Sequence, residues 1–183
     1  MKSKTILSVA GVFFSAFALN AQIYMGKTCE ISFFSKGPIE DISAVNKTTK
    51  PILNTATGDI AVKITIKGFE FEKKLMQEHF NEKYMESDKF PYTTFTGKIN
   101  EAVDYKKDGV YKVTVTGKLN IHGVEKERTI EGTVTVKGGD VLLDSKFNVA
   151  LKDHNIEIPS IVVQNIAEVV QVSIKSDLTE YKK

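Results

Sequence analysis

The sequence has no tryptophan, one cysteine, three histidines and four prolines, and each shortage removes a class of protein. One cysteine cannot form an internal disulfide or a closed thiolate zinc site. Stability must therefore come from a hydrophobic core, which a chain of 183 residues can supply. Cys29 shares the alternating phase of Ile31 and Phe33, so a buried thiol is expected, and the sequence leaves open a homodimer joined through it. The histidines His79, His122 and His154 form no His-x-His or His-x-x-x-His pair, so no metal site is expected. Each reads as solvated or locally hydrogen-bonded. Nucleophile elbows and phosphate-binding glycine loops are also missing, and no cofactor is expected. Glu78 and Glu82 stand four apart in a helical stretch and read as solvated helix charges rather than paired catalytic carboxylates.

What is present begins with a leader. Met1-Lys2-Ser3-Lys4 is followed by an apolar run from Thr5 to Leu19 and then Asn20-Ala21-Gln22. A positive start, a short apolar middle and small residues at the boundary describe a secretory signal peptide. The run is too short for a comfortable membrane span. Cleavage after Ala21 is favoured over Ala18, which leaves residues 22–183 as a single domain exported to the periplasm or secreted. Of 25 basic and 23 acidic residues the leader holds Lys2 and Lys4, so the mature chain carries 23 of each. A neutral, mixed surface gives no electrostatic reason to expect nucleic acid or an anionic membrane as partner.

From Thr28 onward β-branched and aromatic residues alternate with polar ones. Tyr111, Val113, Val115, Gly117, Leu119 and Ile121 interleave with Lys112, Thr114, Thr116, Lys118, Asn120 and His122. The same phase runs through Ile60 to Ile66, Ile130 to Val136, Val141 to Leu151 and Val170 to Leu178. These are half-buried antiparallel strands. Glycines at Lys107-Asp108-Gly109, His122-Gly123 and Lys137-Gly138-Gly139-Asp140 are read as hairpin positions with positive φ. About eight strands with short links predict an all-β, up-and-down antiparallel barrel, since closure removes exposed edges. Between 72 and 88 Leu75, Met76, His79, Phe80 and Tyr84 recur at helical spacing, which predicts a short helical insert before Pro91. That insert and the irregular stretch Pro159 to Ile166 are expected to act as a lid or plug at a barrel end.

The apolar face is the remaining feature with functional content. An eight-stranded barrel is just wide enough to be filled by its side chains or to hold one ligand. Gly97, Gly117 and Gly132 fall in the apolar phase and favour room inside, although barrel corners also use glycine. The residues expected to line such a lumen are Phe33, Ile64, Phe69, Phe95, Val113, Val115, Phe147 and Val149. The alternatives are a filled barrel serving as an interaction module, or a small-molecule enzyme using His154 or His122 as base. An inverted outer-membrane barrel fits the period equally but lacks tryptophan and an aromatic girdle.

The stretch YKVTVTGKLNIHGVEKERTI, with Gly117, Leu119, Ile121, Gly123 and Val124 in a Gly-x-Leu-x-Ile-x-Gly-Val hairpin, resembles the YceI-like family of exported lipid-binding or polyisoprenoid-binding proteins. So do the strand Glu30 to Ser35 and the segment LMQEHFNEKYMESDKFPYTTFTGKI. The resemblance spans about Thr28 to Leu178 and implies a lipocalin-like barrel whose elongated lumen takes up a polyprenyl chain or a quinone. The chain departs from it at Leu151-Lys152-Asp153-His154-Asn155-Ile156, where many members carry an Arg-x-Asp-Phe-Gly type stretch. The expectation is a non-enzymatic lipid-binding protein with no integral membrane segment once the leader is removed.

Overall fold

A computed structural model describes residues 22–37, 40–158 and 167–182. The leader and the stretch Pro159 to Ile166 lie outside the described residues. The chain is almost entirely sheet: β1 (Ile23–Ser35), β2 (Ile42–Asn46), β3 (Ile52–Asn54), β4 (Asp59–Thr65), β5 (Phe69–Phe71), β6 (Tyr92–Ile99), β7 (Gly109–Ile121), β8 (Val124–Lys137), β9 (Asp140–Ala150) and β10 (Val169–Glu180). Each strand is antiparallel to its neighbours, and β10 returns to pair with β1. β2 with β3, and β4 with β5, form one broken strand each, so the result is a closed, eight-stranded, up-and-down lipocalin-like barrel.

The alternation places Val113 and Leu119 of β7 inside, while Lys112 and Lys118 are exposed. Tight turns follow where the backbone takes positive φ, at His122-Gly123 (53° and 75°) and Gly138-Gly139 (59° and 89°). That left-handed pair is the type I′ geometry that suits strand twist. Gly109 departs from expectation. It opens β7 without positive φ, because the link from β6 is a longer loop packed under the barrel and not a tight hairpin.

The breaks have their own chemistry. Asn46 is wholly buried, and its Oδ1 accepts from the Thr48 N–H (2.9 Å) and from the Thr48 and Thr49 hydroxyls (both 3.1 Å). Its Nδ2 donates to the Thr65 carbonyl at 3.0 Å, tying one broken strand to the other. Across the 3-10 turn Ile66–Gly68, Ala44 stands opposite Phe71, whereas the Ile52–Ala61 register continued would set it opposite Phe69. The turn absorbs two residues and keeps the apolar phase inside.

The helical insert is shorter than the sequence suggests. An α-helix, α1 (Lys74–His79), widens into a π-turn over Phe80–Tyr84. It lies at the barrel end that also holds the His122-Gly123 hairpin and a 3-10 turn at Leu151–His154. At the opposite end Leu53, Val141 and Leu178 have no exposed surface, and Val103 and Tyr105 of the 100–108 loop pack against this core. Burial pushes the Tyr105 phenol up to about 12, as a dry floor would.

Candidate ligand cavity

The barrel is not filled by its own side chains. A cavity of about 410 Å³ runs from Ile60 and Ile99 near the floor to Tyr84, Met85 and Leu151 under the insert. That volume is within the range of small-molecule sites. From Val113 to Ile121, strand rise and barrel tilt give it a length of about 20 Å. All eight residues named from the sequence line it: Phe33, Ile64, Phe69, Phe95, Val113, Val115, Phe147 and Val149. They come from β1, β4, β5, β6, β7 and β9, so closure of the sheet brings together residues that no local motif links. Nearly all of the wall is aliphatic or aromatic.

Gly97, Gly117 and Gly132 serve a different purpose from the one expected. A Cβ on Gly117 would stand 2.3 Å from the Thr96 carbonyl oxygen and 2.4 Å from the Gly97 Cα. On Gly132 it would stand 2.9 Å from the Asp144 carbonyl oxygen. These positions let neighbouring backbones close on one another, and the cavity owes its space to the gap between facing walls instead.

The roof is a cluster of four phenylalanines. Phe33 stacks on Phe80 with ring centroids 5.4 Å apart and meets Phe69 and Phe71 edge-on at 5.5 and 5.8 Å. Phe80 lies 5.6 Å from Phe69 and 5.0 Å from Phe71, so the insert is held by aromatic contact with β1 and β5. Beside the roof Glu40, Met76 and His79 border the mouth, and Glu40 pairs with Lys73. Of the roof, Phe33 and Phe69 belong to the sequence-based set, while Phe71, Phe80 and the mouth residues Glu40, Met76 and His79 are absent from it. The helical spacing of Met76, His79 and Phe80 marks an insert, but no pattern shows which of them turn inward.

The two histidines named for an enzymatic role do not border the cavity. His154 is fully buried, its Nδ1–H donates to the Val124 carbonyl at 3.1 Å, and burial holds its pKa below the usual histidine value. His122 Nε2 lies 2.8 Å from Glu86 Oε2, and its ring meets Phe90 edge-on at 4.5 Å. Both fasten the connections at the mouth end. Among the described residues no group of histidine, cysteine, aspartate and glutamate could hold a metal, and no helix is long and apolar enough to cross a membrane.

A hollow, closed, antiparallel barrel with an apolar interior and a helical roof is the architecture of a lipocalin-like binding protein. The chain belongs to the YceI-like family, whose domain model matches residues 24–178. No curated protein matches it. Among solved structures it is similar to a polyisoprenoid-binding domain from Saccharophagus degradans implicated in plant cell wall breakdown, at 13% identity and a TM-score of 0.74 over 88% of this chain and 99% of that one. It is also similar to Burkholderia cenocepacia BcnA, at 20% identity and a TM-score of 0.70 over 81% of this chain and 95% of that one. A Campylobacter jejuni YceI protein shares 16% identity at a TM-score of 0.55 over the full length of both chains.

Proposed function

We propose that this protein is an exported carrier or store for a long apolar molecule, such as a polyprenyl chain or a quinone, held in the barrel lumen. The observation that carries the reading is the cavity, closed at the floor and reaching the helical roof, in which a few polar residues such as Ser35, Thr93 and Ser145 stand among far more aliphatic and aromatic ones. Burial of a hydrocarbon chain there contributes about 0.8 kcal/mol per methylene before ordering costs, so a long guest needs only shape and dryness from the wall. Phe33, Ile64, Phe69, Phe95, Val113, Val115, Phe147 and Val149 supply that contact. The similar Saccharophagus degradans domain is a polyisoprenoid-binding one, which supports the same guest class. The leader at residues 1–21 directs the remaining single domain to the periplasm or outside the cell, where binding and not catalysis is its role. Solvent extraction of purified protein followed by mass spectrometry is expected to release an isoprenoid lipid, and stripped protein is expected to take up a fluorescent isoprenoid. An empty extract together with no uptake overturns the proposal.

A further inference from the structure

The wall of the barrel is not uniformly laced. β8 and β9 pair only from Gly132 opposite Ser145 down to Lys137 opposite Asp140. Above that fork β8 continues to Val124 bonded to β7, and β9 continues to Ala150 bonded to β10, with no ladder between them. Two side chains bridge the seam in its place. The Ser145 hydroxyl donates to the Glu131 carbonyl at 2.6 Å, and Arg128 Nη2 donates to the Asn148 carbonyl at 2.7 Å. The 3-10 turn closes the top through the bond from His154 to Val124.

This seam opens on the lumen. Ile130, Phe147 and Val149 around it line the cavity, as do Glu131 and Ser145 at the fork itself. Arg128 is the only arginine in the chain, and it shares the inward phase of Ile130 and Val134. Glu127 and Glu131 flank it on the outward phase, as does Lys146 across the seam. Among the described residues it has no carboxylate partner, and its recorded acceptor is one neutral carbonyl. A guanidinium carries five donors in a plane that matches an oxyanion. Here most of them are left for another acceptor, one inward-phase position along β8 from Ile130, which lines the cavity.

We propose that the β8–β9 seam is a lateral opening of the lumen at which Arg128 binds the oxyanion head of an amphiphilic guest, of phosphate or carboxylate type, while its chain lies inside. The inference rests on the lumen holding an apolar chain. The seam can widen without breaking a strand ladder, because side chains alone cross it, so the head meets the guanidinium while the chain stays dry.

The test compares guests that share one chain and differ in head: geranylgeranyl phosphate, geranylgeranic acid and geranylgeraniol, with inorganic phosphate as a chainless control. Displacement of a fluorescent isoprenoid is measured for wild type, Arg128→Gln and Arg128→Lys. In wild type both anionic guests are expected to bind at least tenfold more tightly than the alcohol, and inorganic phosphate is expected not to displace the probe. That advantage should fall severalfold between 50 and 500 mM salt, vanish in Arg128→Gln with alcohol affinity unchanged, and survive in part in Arg128→Lys. Equal affinity of alcohol and anions in wild type overturns this proposal and leaves the lumen reading standing. Failure of every guest to enter overturns both. Should Arg128→Gln not fold, the head-group ratio in wild type and its loss in salt decide the matter.

Discussion

At the floor of the barrel Leu53, Val141 and Leu178 have no exposed surface, whereas towards the helical roof Phe95 and Phe147 of the same inward phase stay only half-buried, facing a cavity. Both ends come from the same continuous strands, so strand pairing does not distinguish them. The floor has a loop folded beneath it, with Tyr105 and Val103 sealing the space, and there apolar surface is buried against apolar surface. The upper end has a roof in which Phe80 of the insert packs on Phe33, Phe69 and Phe71 of the wall strands, with the cavity left beneath it. Stability therefore concentrates at the floor and capacity at the roof, much as binding proteins in general draw mobile elements from their less stable parts.

The largest expected effect that could break this contrast is at the floor. Leu178→Ala should cost about 3 kcal/mol in urea denaturation, since a fully buried leucine leaves a cavity that its neighbours cannot collapse into. Guest uptake per folded molecule should be unchanged. A cost under about 1 kcal/mol would mean that the floor is not where the core is packed. Next is Gly117→Ala, expected to cost about 2 kcal/mol because the new Cβ overlaps the β6 backbone. Were Gly117 merely leaving the lumen room, alanine there would be neutral in the same measurement. The cavity wall should behave in the opposite way. Val115→Trp places bulk in open space, so its stability should stay within about 1 kcal/mol of wild type while isoprenoid uptake falls about tenfold.

These contrasts were only partly legible in the sequence. Alternation gives the phase of each strand, so the pattern alone places Phe33, Ile64, Phe95, Val113 and Phe147 inside. Phase does not tell height along the barrel, because Val134 and Val115 obey the same rule and only one of them is packed solid. Phe80 and Glu40 reach the mouth through contacts distant in sequence, and the insert's spacing showed a helix without its inward side. The β8–β9 fork leaves only an indirect trace in the pattern: the apolar phase of Ile130 to Val136 gives way to Lys126 and Arg128 further up β8, while the ladder itself stops at Gly132. At Gly97 and Gly117 a glycine in an inward phase marks either a void or a close backbone approach, and composition cannot separate the two.

The smallest expected effect sharpens the contrast at the mouth, where histidine chemistry replaces packing. His154 is buried and neutral, and burial holds its pKa below the free value, so as pH falls through about 6.5 the unfolded chain takes up a proton before the folded one does. The unfolded state then binds more protons, and stability drops with falling pH, by at most about 1.4 kcal/mol per pH unit for one site. Above that pH the contribution is fully present, and it is lost progressively on acidification. In His154→Gln this part of the slope should disappear between pH 6.5 and 5, while the slope shared with the carboxylates remains. Urea midpoints of wild type and variant across that range give the comparison, and parallel slopes would show that His154 protonates as easily in the folded barrel as outside it. Because its ring bonds Val124 at the top of β8, acid should loosen the mouth end before the floor. Amide exchange near Val124 should then rise at a higher pH than exchange near Leu178 if the two ends are as unequal as their packing.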